Sequence, residues 1–371
     1  MHAGAGKLMD LIRSIRWHWE RKLFNAIREF PVTEFQLDTD ALTDYLAQVI
    51  DEFKGPVIAT KFGNGQSNPT YKLEAKGGVY VLRRKPSGQL LKSAHAVDRE
   101  YRVITALRDS PVPVARTYHL CEDVAIIGSM FYIMEYVDGR VLWNPALPEI
   151  DKSQRRAYYD AMTDTLVRLH SLDIDKHGLS DYGRPQGYIE RQINLWTRQY
   201  RGSETETLND MEYLIENLPT ICPPEEGRIS LVHGDYRLDN MMFHPELPSV
   251  SALVDWELST LGHPFTDLAY QCMQLRMPND GLMSGLGGID RDEAGLPEEH
   301  EYVEAYCQRM QLDEIPHWDF YLGLSFFRFA AILQGVKRRA LEGNASSEHA
   351  LAMGEFVAPL AKMGREQIES V

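Results

Sequence analysis

His233-Gly234-Asp235-Tyr236-Arg237-Leu238-Asp239-Asn240, followed by Leu253-Val254-Asp255-Trp256-Glu257, carries the densest chemistry in the chain. Each segment leaves a short apolar run, Ile229–Val232 and Ala252–Val254, that reads as a strand. Phosphoryl transfer requires one carboxylate to orient an attacking hydroxyl. It also requires a carboxylate and an amide oxygen to hold the divalent cation that neutralises phosphate charge. Asp235, Asp255 and Asn240 supply that set. A two-metal phosphoesterase fits poorly, because its bridged metals need several His and Asp ligands and this segment offers one histidine.

These two segments resemble the catalytic region of the aminoglycoside phosphotransferase and choline kinase superfamily, a distant relative of the protein kinases. The resemblance extends over nearly everything after the N-terminal extension. It implies an α+β, two-lobed, protein-kinase-like fold with a small β-rich N-lobe and a larger, mainly helical C-lobe. It implies Asp235 as the catalytic carboxylate, Asn240 and Asp255 as Mg²⁺ ligands, and His233 as a brace of the loop. Arg237, two residues past Asp235, takes the place of the protein-kinase lysine that touches the γ-phosphate. Asp267, in His263-Pro264-Phe265-Thr266-Asp267, resembles the buried aspartate that accepts hydrogen bonds from the catalytic loop; a plain helix N-cap is the other reading.

Upstream, a helix over Ala94–Arg108 carries Val97, Tyr101, Ile104 and Leu107 as an apolar stripe, and Glu100 falls on that stripe. Its own helix offers no basic partner three or four residues away, so the partner must come from elsewhere. Val81 and Arg83 share one face of their strand, and Arg83 on that face can reach Glu100. The pair matches the kinase ion pair that positions nucleotide phosphates, with Arg where protein kinases carry Lys. Lys85 has the same parity and remains an alternative, as does a simple surface arginine. Phe62-Gly63-Asn64-Gly65-Gln66-Ser67-Asn68 joins two strands and is either a hairpin turn or a phosphate cradle. Ser67 and Asn68 resemble the superfamily's loop. Phe131–Gly139 reads as a buried strand entering a polar turn, and it resembles the hinge between lobes, where the Glu135 carbonyl and Val137 amide would meet adenine.

The pattern divides the chain into a helical extension over 1–54, a nucleotide-binding N-lobe over 55–137 and a catalytic, substrate-binding C-lobe over 138–371. In the extension a helix starts at Asp38–Asp40, with Leu42, Leu46, Val49 and Ile50 on one face. Thr70–Leu73 and Val79–Arg83 form a hairpin across Gly77-Gly78. Arg156–His170, Tyr188–Tyr200, Glu299–Met310 and Trp318–Leu341 are the expected C-lobe helices.

A formal net charge of −15 over 371 residues argues against a sequence-independent grip on nucleic acid or anionic lipid. Cys121, Cys222, Cys272 and Cys307 have neither metal-finger nor redox spacing, which fits a reducing cytoplasm. Leu322–Leu333, the longest apolar candidate, is shorter than the ~20 residues that span a bilayer and contains Arg328. No integral membrane association is expected; oligomeric state is left open. Gly4-Ala5-Gly6-Lys7 is no phosphate loop, since Leu8 stands where Ser or Thr must meet Mg²⁺.

Tyr80–Pro86, Ser93–Val97 and Phe329–Gly335 are most similar to the kinase-like front domain of acyl-CoA dehydrogenase family members ten and eleven. That likeness implies a free-standing kinase using ATP or GTP with Mg²⁺ on a substrate hydroxyl, a hydroxylated acyl-CoA among the candidates. An aminoglycoside-type phosphotransferase and a catalytically silent nucleotide-binding module are the alternatives. The acceptor pocket is expected around Tyr188–Trp196 and the loop Arg276–Asp290, with Arg191, Arg276 and Arg328 either answering an anionic acceptor or serving structure.

Overall fold

In the strand Gly78–Arg84, Tyr80 and Leu82 alternate with Val81 and Arg83, so two opposite faces need cover. The computed structural model describes residues 37–63, 68–86, 96–224, 227–279, 284–343 and 350–369. It places β1 (Ile58–Lys61), β2 (Thr70–Ala75), β3 (Gly78–Arg84), β4 (Thr117–Cys121) and β5 (Phe131–Glu135) in one antiparallel sheet of order β1-β2-β3-β5-β4. One face packs on helix α1 (Thr39–Val49), whose Leu42 and Leu46 share a core with Tyr80, Leu82, Phe131 and Ile133. Asp38 caps α1, accepting from the Ala41 amide at 2.9 Å. The helix thus belongs to the same hydrophobic unit as the sheet. The opposite face carries Tyr132 and meets α2 (Val97–Ala106), whose Val97, Val103 and Ile104 join the large core.

The second lobe follows β6 (Arg140–Val141). Its helices are α3 (Arg155–His170), α4 (Tyr188–Ser203), α5 (Asn209–Asn217), α6 (Phe265–Arg276), α7 (Arg291–Ala294), α8 (Glu299–Met310), α9 (Trp318–Leu341), α10 (Ala350–Gly354) and α11 (Val357–Ile368). The expected helices recur within a few residues, and α8 and α9 keep the expected bounds. α9 is buried almost continuously from Phe320 to Ala331 because α4, α6 and α11 surround it. No helix of the described residues is long and apolar enough to cross a membrane.

Four short strands frame the chemistry: β7 (Ser230–Val232), β8 (Met241–Phe243), β9 (Val250–Leu253) and β10 (Thr260–Gly262). β7 pairs with β10, and β8 lies between β6 and β9. The segment 233–240 therefore leaves β7 and enters β8, while Asp255 follows the end of β9. The small antiparallel sheet and the helical lobe make this an α+β, two-lobed, kinase-like fold.

Candidate active site

The loop after β7 is held from beneath by α6. Asp267, buried in the first turn of α6, accepts from the His233 amide at 2.6 Å and the Gly234 amide at 2.8 Å. His170 of α3 hydrogen-bonds the same carboxylate at 3.3 Å and Tyr306 at 2.8 Å. Burial would raise the Asp267 carboxyl, but the His170 contact and the His233 amide hold it below the usual carboxylate range. Gly234 sits at φ +81°, and a Cβ there would lie 2.5 Å from the Leu258 carbonyl oxygen, so the turn accepts glycine alone.

His233 contacts both ends of the arrangement. Its Nδ1 accepts from the Asp235 amide at 3.2 Å, and its Nε2 meets the Val254 carbonyl at 2.9 Å. Asn240 donates through Nδ2 to both the carbonyl and Oδ2 of Asp235, each at 2.8 Å. The Asn240 carbonyl in turn accepts from the Val254 amide at 2.9 Å. Val254 is thus tied on one side to His233 and on the other to Asn240, which fixes the backbone of its neighbour Asp255 against the 233–240 loop. Asp255 adopts φ +65° and ψ +60°, an uncommon backbone for a non-glycine residue and one that recurs at functional sites.

With Nδ2 committed, Asn240 has its side-chain oxygen Oδ1 left for a cation, and Asp255 offers a half-exposed carboxylate. The donor set therefore suits Mg²⁺, which binds through one or two carboxylates and completes its shell with phosphate oxygens and water.

Arg83 reaches across from β3. Its Nε lies 2.7 Å from Glu100 Oε2, and its Nη2 donates to Asp255 Oδ1 at 2.7 Å. Burial alone would lower the guanidinium, but Glu100 and Asp255 overcome it and hold its pKa above the ordinary arginine value. Glu100 is itself buried and pushed up to about 6, because desolvation outweighs the pull of Arg83. Two further groups hold Glu100: Asn68 Nδ2 donates at 2.7 Å and the Tyr132 hydroxyl at 3.1 Å. Val81 lies beside Arg83's row, paired with Met134 of β5.

A cleft of about 600 Å³ opens beside Asp235. Phe329, Ile332, Leu333 and Val336 of α9, at helical spacing, form an apolar wall. α6 contributes Tyr270, Gln271 and Gln274. Trp143 and Leu258 stand exposed at this cleft.

The geometry relocates several expected residues. Asn68 turns inward to Glu100 instead of facing a phosphate. Arg237 lines the cleft and engages Asp239 through two nitrogens, with Gln274 accepting from it at 3.2 Å when its amide oxygen faces the guanidinium. Arg328 donates to the Gly234 carbonyl and lies 5.2 Å from the Trp196 ring centroid and 4.8 Å from that of Tyr270, a structural clamp. Arg276 is forked onto Glu299, and Arg191 is bound to the carbonyls of Arg184 and Gln186. The Tyr188–Trp196 segment contributes no side chain to this cleft, whereas Met277 and Ser284 of the expected loop do. Glu135 ends β5, its amide donating to the Arg116 carbonyl at 2.8 Å, and Val137 follows half-buried between the lobes. Ser67 lies outside the described residues.

A family model described as "Phosphotransferase enzyme family" matches residues 58–324, which span both lobes and every residue of the Asp235–Asn240–Asp255 arrangement. The chain belongs to the phosphotransferase enzyme family. Within it, the chain is 45% identical over 326 residues to acyl-CoA dehydrogenase family member 10 of Mus musculus, covering 87% of this chain and 30% of that protein. Family member 11 of the same organism is 40% identical over 336 residues, covering 89% of this chain and 43% of that protein. The chain thus spans under half the length of these relatives. A solved structure from Ralstonia eutropha JMP134, provisionally named an aminoglycoside phosphotransferase, superposes with a TM-score of 0.83 at 46% identity. That likeness covers 90% of this chain and 99% of the other.

Sequence reasoning missed two supports of this site, Tyr132 and His170, and offered a structural role for Arg328 without its partners. Tyr132 was readable, because it pairs across the ladder with Arg83 once β3 and β5 are aligned. His170 and Arg328 reach the loop from far along the chain, and no local pattern marks them.

Proposed function

We propose that this chain is a Mg²⁺-dependent small-molecule kinase, transferring the γ-phosphate of ATP or GTP to a substrate hydroxyl. The observation that supports the reading is the double tie of Val254, next to Asp255, to His233 and to Asn240, together with Arg83 spanning from Glu100 to Asp255. Asn240 and Asp255 would hold Mg²⁺, which supplies charge neutralisation on the phosphates. Arg83 binds phosphate oxygens through its planar fork, and Glu100, Asn68 and Tyr132 fix that fork. The acceptor hydroxyl oxygen forms a bond to the γ-phosphorus as the bond to the β–γ bridging oxygen breaks. The nucleoside diphosphate leaves, and the hydroxyl proton passes to Asp235 and then to water.

The acceptor is proposed to be a hydroxylated acyl-CoA or a similar metabolite with an aliphatic portion. The apolar wall of α9 supports this, as do the acyl-CoA dehydrogenase names of relatives that contain this segment. A polycationic aminoglycoside would meet only two carboxylates among the described lining residues, Asp235 and Asp239, the second already paired with Arg237. ADP release measured over a panel of hydroxyacyl-CoAs, simple alcohols and aminoglycosides tests the reading. Magnesium-dependent turnover on hydroxyacyl-CoAs is expected. Nucleotide binding without turnover on any hydroxyl compound would replace the kinase by a silent binding module.

Glu100 gives the reaction a pH signature. Its folded-state pKa lies above the unfolded value, so its proton stabilises the fold at low pH, and that contribution is lost as pH rises through about 6. At neutral pH the ionised buried carboxylate therefore costs about 2 kcal/mol of stability. What it gains is a charged partner for Arg83. kcat/KM for nucleotide is expected to fall as pH drops through about 6, and Glu100→Gln is expected to remove that limb of the profile.

A further inference from the structure

α6 presents one face to the catalytic loop, and each polar side chain on it but one has an assignment. Asp267 holds the loop amides, the Tyr270 ring packs on Arg328, and Gln274 accepts from Arg237 when its amide oxygen faces the guanidinium. Gln271, at helical spacing between them, is 1% exposed, and its Oε1 has no hydrogen-bond partner among the described residues. Gln334, buried to the same degree, contrasts with it: its Nε2 donates to the Ser203 carbonyl at 2.8 Å and to Thr205 Oγ1 at 3.0 Å. Of the buried side-chain atoms left without a partner among the described residues, Gln271 Oε1 belongs to the one residue that lines the cleft beside Asp235.

A desolvated carbonyl oxygen without a donor is unfavourable unless something else supplies the donor. Its neighbours leave the opportunity to a ligand: Leu275 and the α9 wall are apolar, Asp235 and Asp239 are acceptors, and the donors that also line the cleft, such as Arg237 on Asp239, make no hydrogen bond to it. Resting on the kinase reading, we propose that Gln271 determines acceptor specificity by accepting a hydrogen bond from a neutral N–H or O–H near the reacting hydroxyl. The preferred acceptor then combines three features: a hydroxyl for Asp235, a second neutral donor for Gln271, and an aliphatic portion along Phe329, Ile332 and Val336. An amide N–H and a second hydroxyl are two sources of the same donor chemistry.

Two matched pairs of probes separate them: N-hexyl-4-hydroxybutanamide against hexyl 4-hydroxybutanoate, and octane-1,2-diol against octan-2-ol. In at least one pair the wild-type protein is expected to favour the donor-bearing member in kcat/KM by about tenfold, the worth of one neutral hydrogen bond. The pair that shows the preference identifies the donor. Gln271→Met keeps length and removes the acceptor, so the preference is expected to collapse towards unity while the melting temperature stays the same or rises. A preference unchanged in Gln271→Met, equal losses on both members of each pair, or a lowered melting temperature would overturn the inference. So would wild-type indifference to both donors while other alcohols are turned over. Absence of turnover on every acceptor would instead remove the kinase reading beneath it.

Discussion

Asp235→Asn is expected to lower kcat by about 10²- to 10⁴-fold, the range associated with losing a positioned acid–base group. The replacement keeps the side-chain shape and an oxygen for Asn240 Nδ2, which now donates at 2.8 Å. It removes the charge that orients the attacking hydroxyl and the oxygen that receives its proton. Asp255, Asn240 and Arg83 are untouched, so nucleotide affinity should change by no more than a few-fold. Single-turnover phosphoryl transfer, with nucleotide affinity measured by calorimetry on the same preparation, separates the two effects. Unchanged turnover would remove Asp235 from the chemistry.

Asp267→Asn should act through the fold as well as the site. The native carboxylate accepts from two backbone amides and from His170 in a buried position. A carboxamide has one oxygen for these donors and brings an NH₂ group to face the rest. Breaking a buried charged contact of this kind costs about 3–5 kcal/mol. The expected outcome is a melting temperature lowered by several degrees and a loss of kcat, because the His233–Asp235 turn is no longer held. Urea denaturation and kinetics on the same variant test it; native stability with native turnover would show that the loop is held by other contacts, such as Arg328 to the Gly234 carbonyl.

What the chain announced locally, the structure repeats. Strand alternation put Arg83 on the face that meets α2, and the apolar stripe of α2 put Glu100 inward, so their contact followed from two periodicities. Asn240 and Asp255 come near each other because they flank the paired strands β8 and β9, and Asn240 Nδ2 ties Asp235 to the same place. Groups that answer to tertiary neighbours were not legible. Asn68 stands in a loop that looks made for phosphate, yet the unpaired face of Glu100 draws its amide inward. Arg237 looks like a free cation until Asp239, two residues on, takes its fork. Arg328 gave no sign in sequence that an arginine inside an apolar helix would lie between Trp196 and Tyr270 and bind a loop carbonyl. In each case the side chain's partner, not its type, decides the role.

Calorimetric titration of ATP into the wild-type protein and Asp255→Asn, each in excess Mg²⁺ and in excess EDTA, bears most directly on whether these oxygens hold a cation beside a triphosphate. Wild type should bind at least about tenfold more tightly with Mg²⁺ than with EDTA, a difference of about 1.4 kcal/mol. Asp255→Asn should show the same weak affinity in both. Equal affinity in Mg²⁺ and EDTA for the wild-type protein, or a magnesium effect undiminished in Asp255→Asn, would mean that Asp255 and Asn240 do not form the metal site.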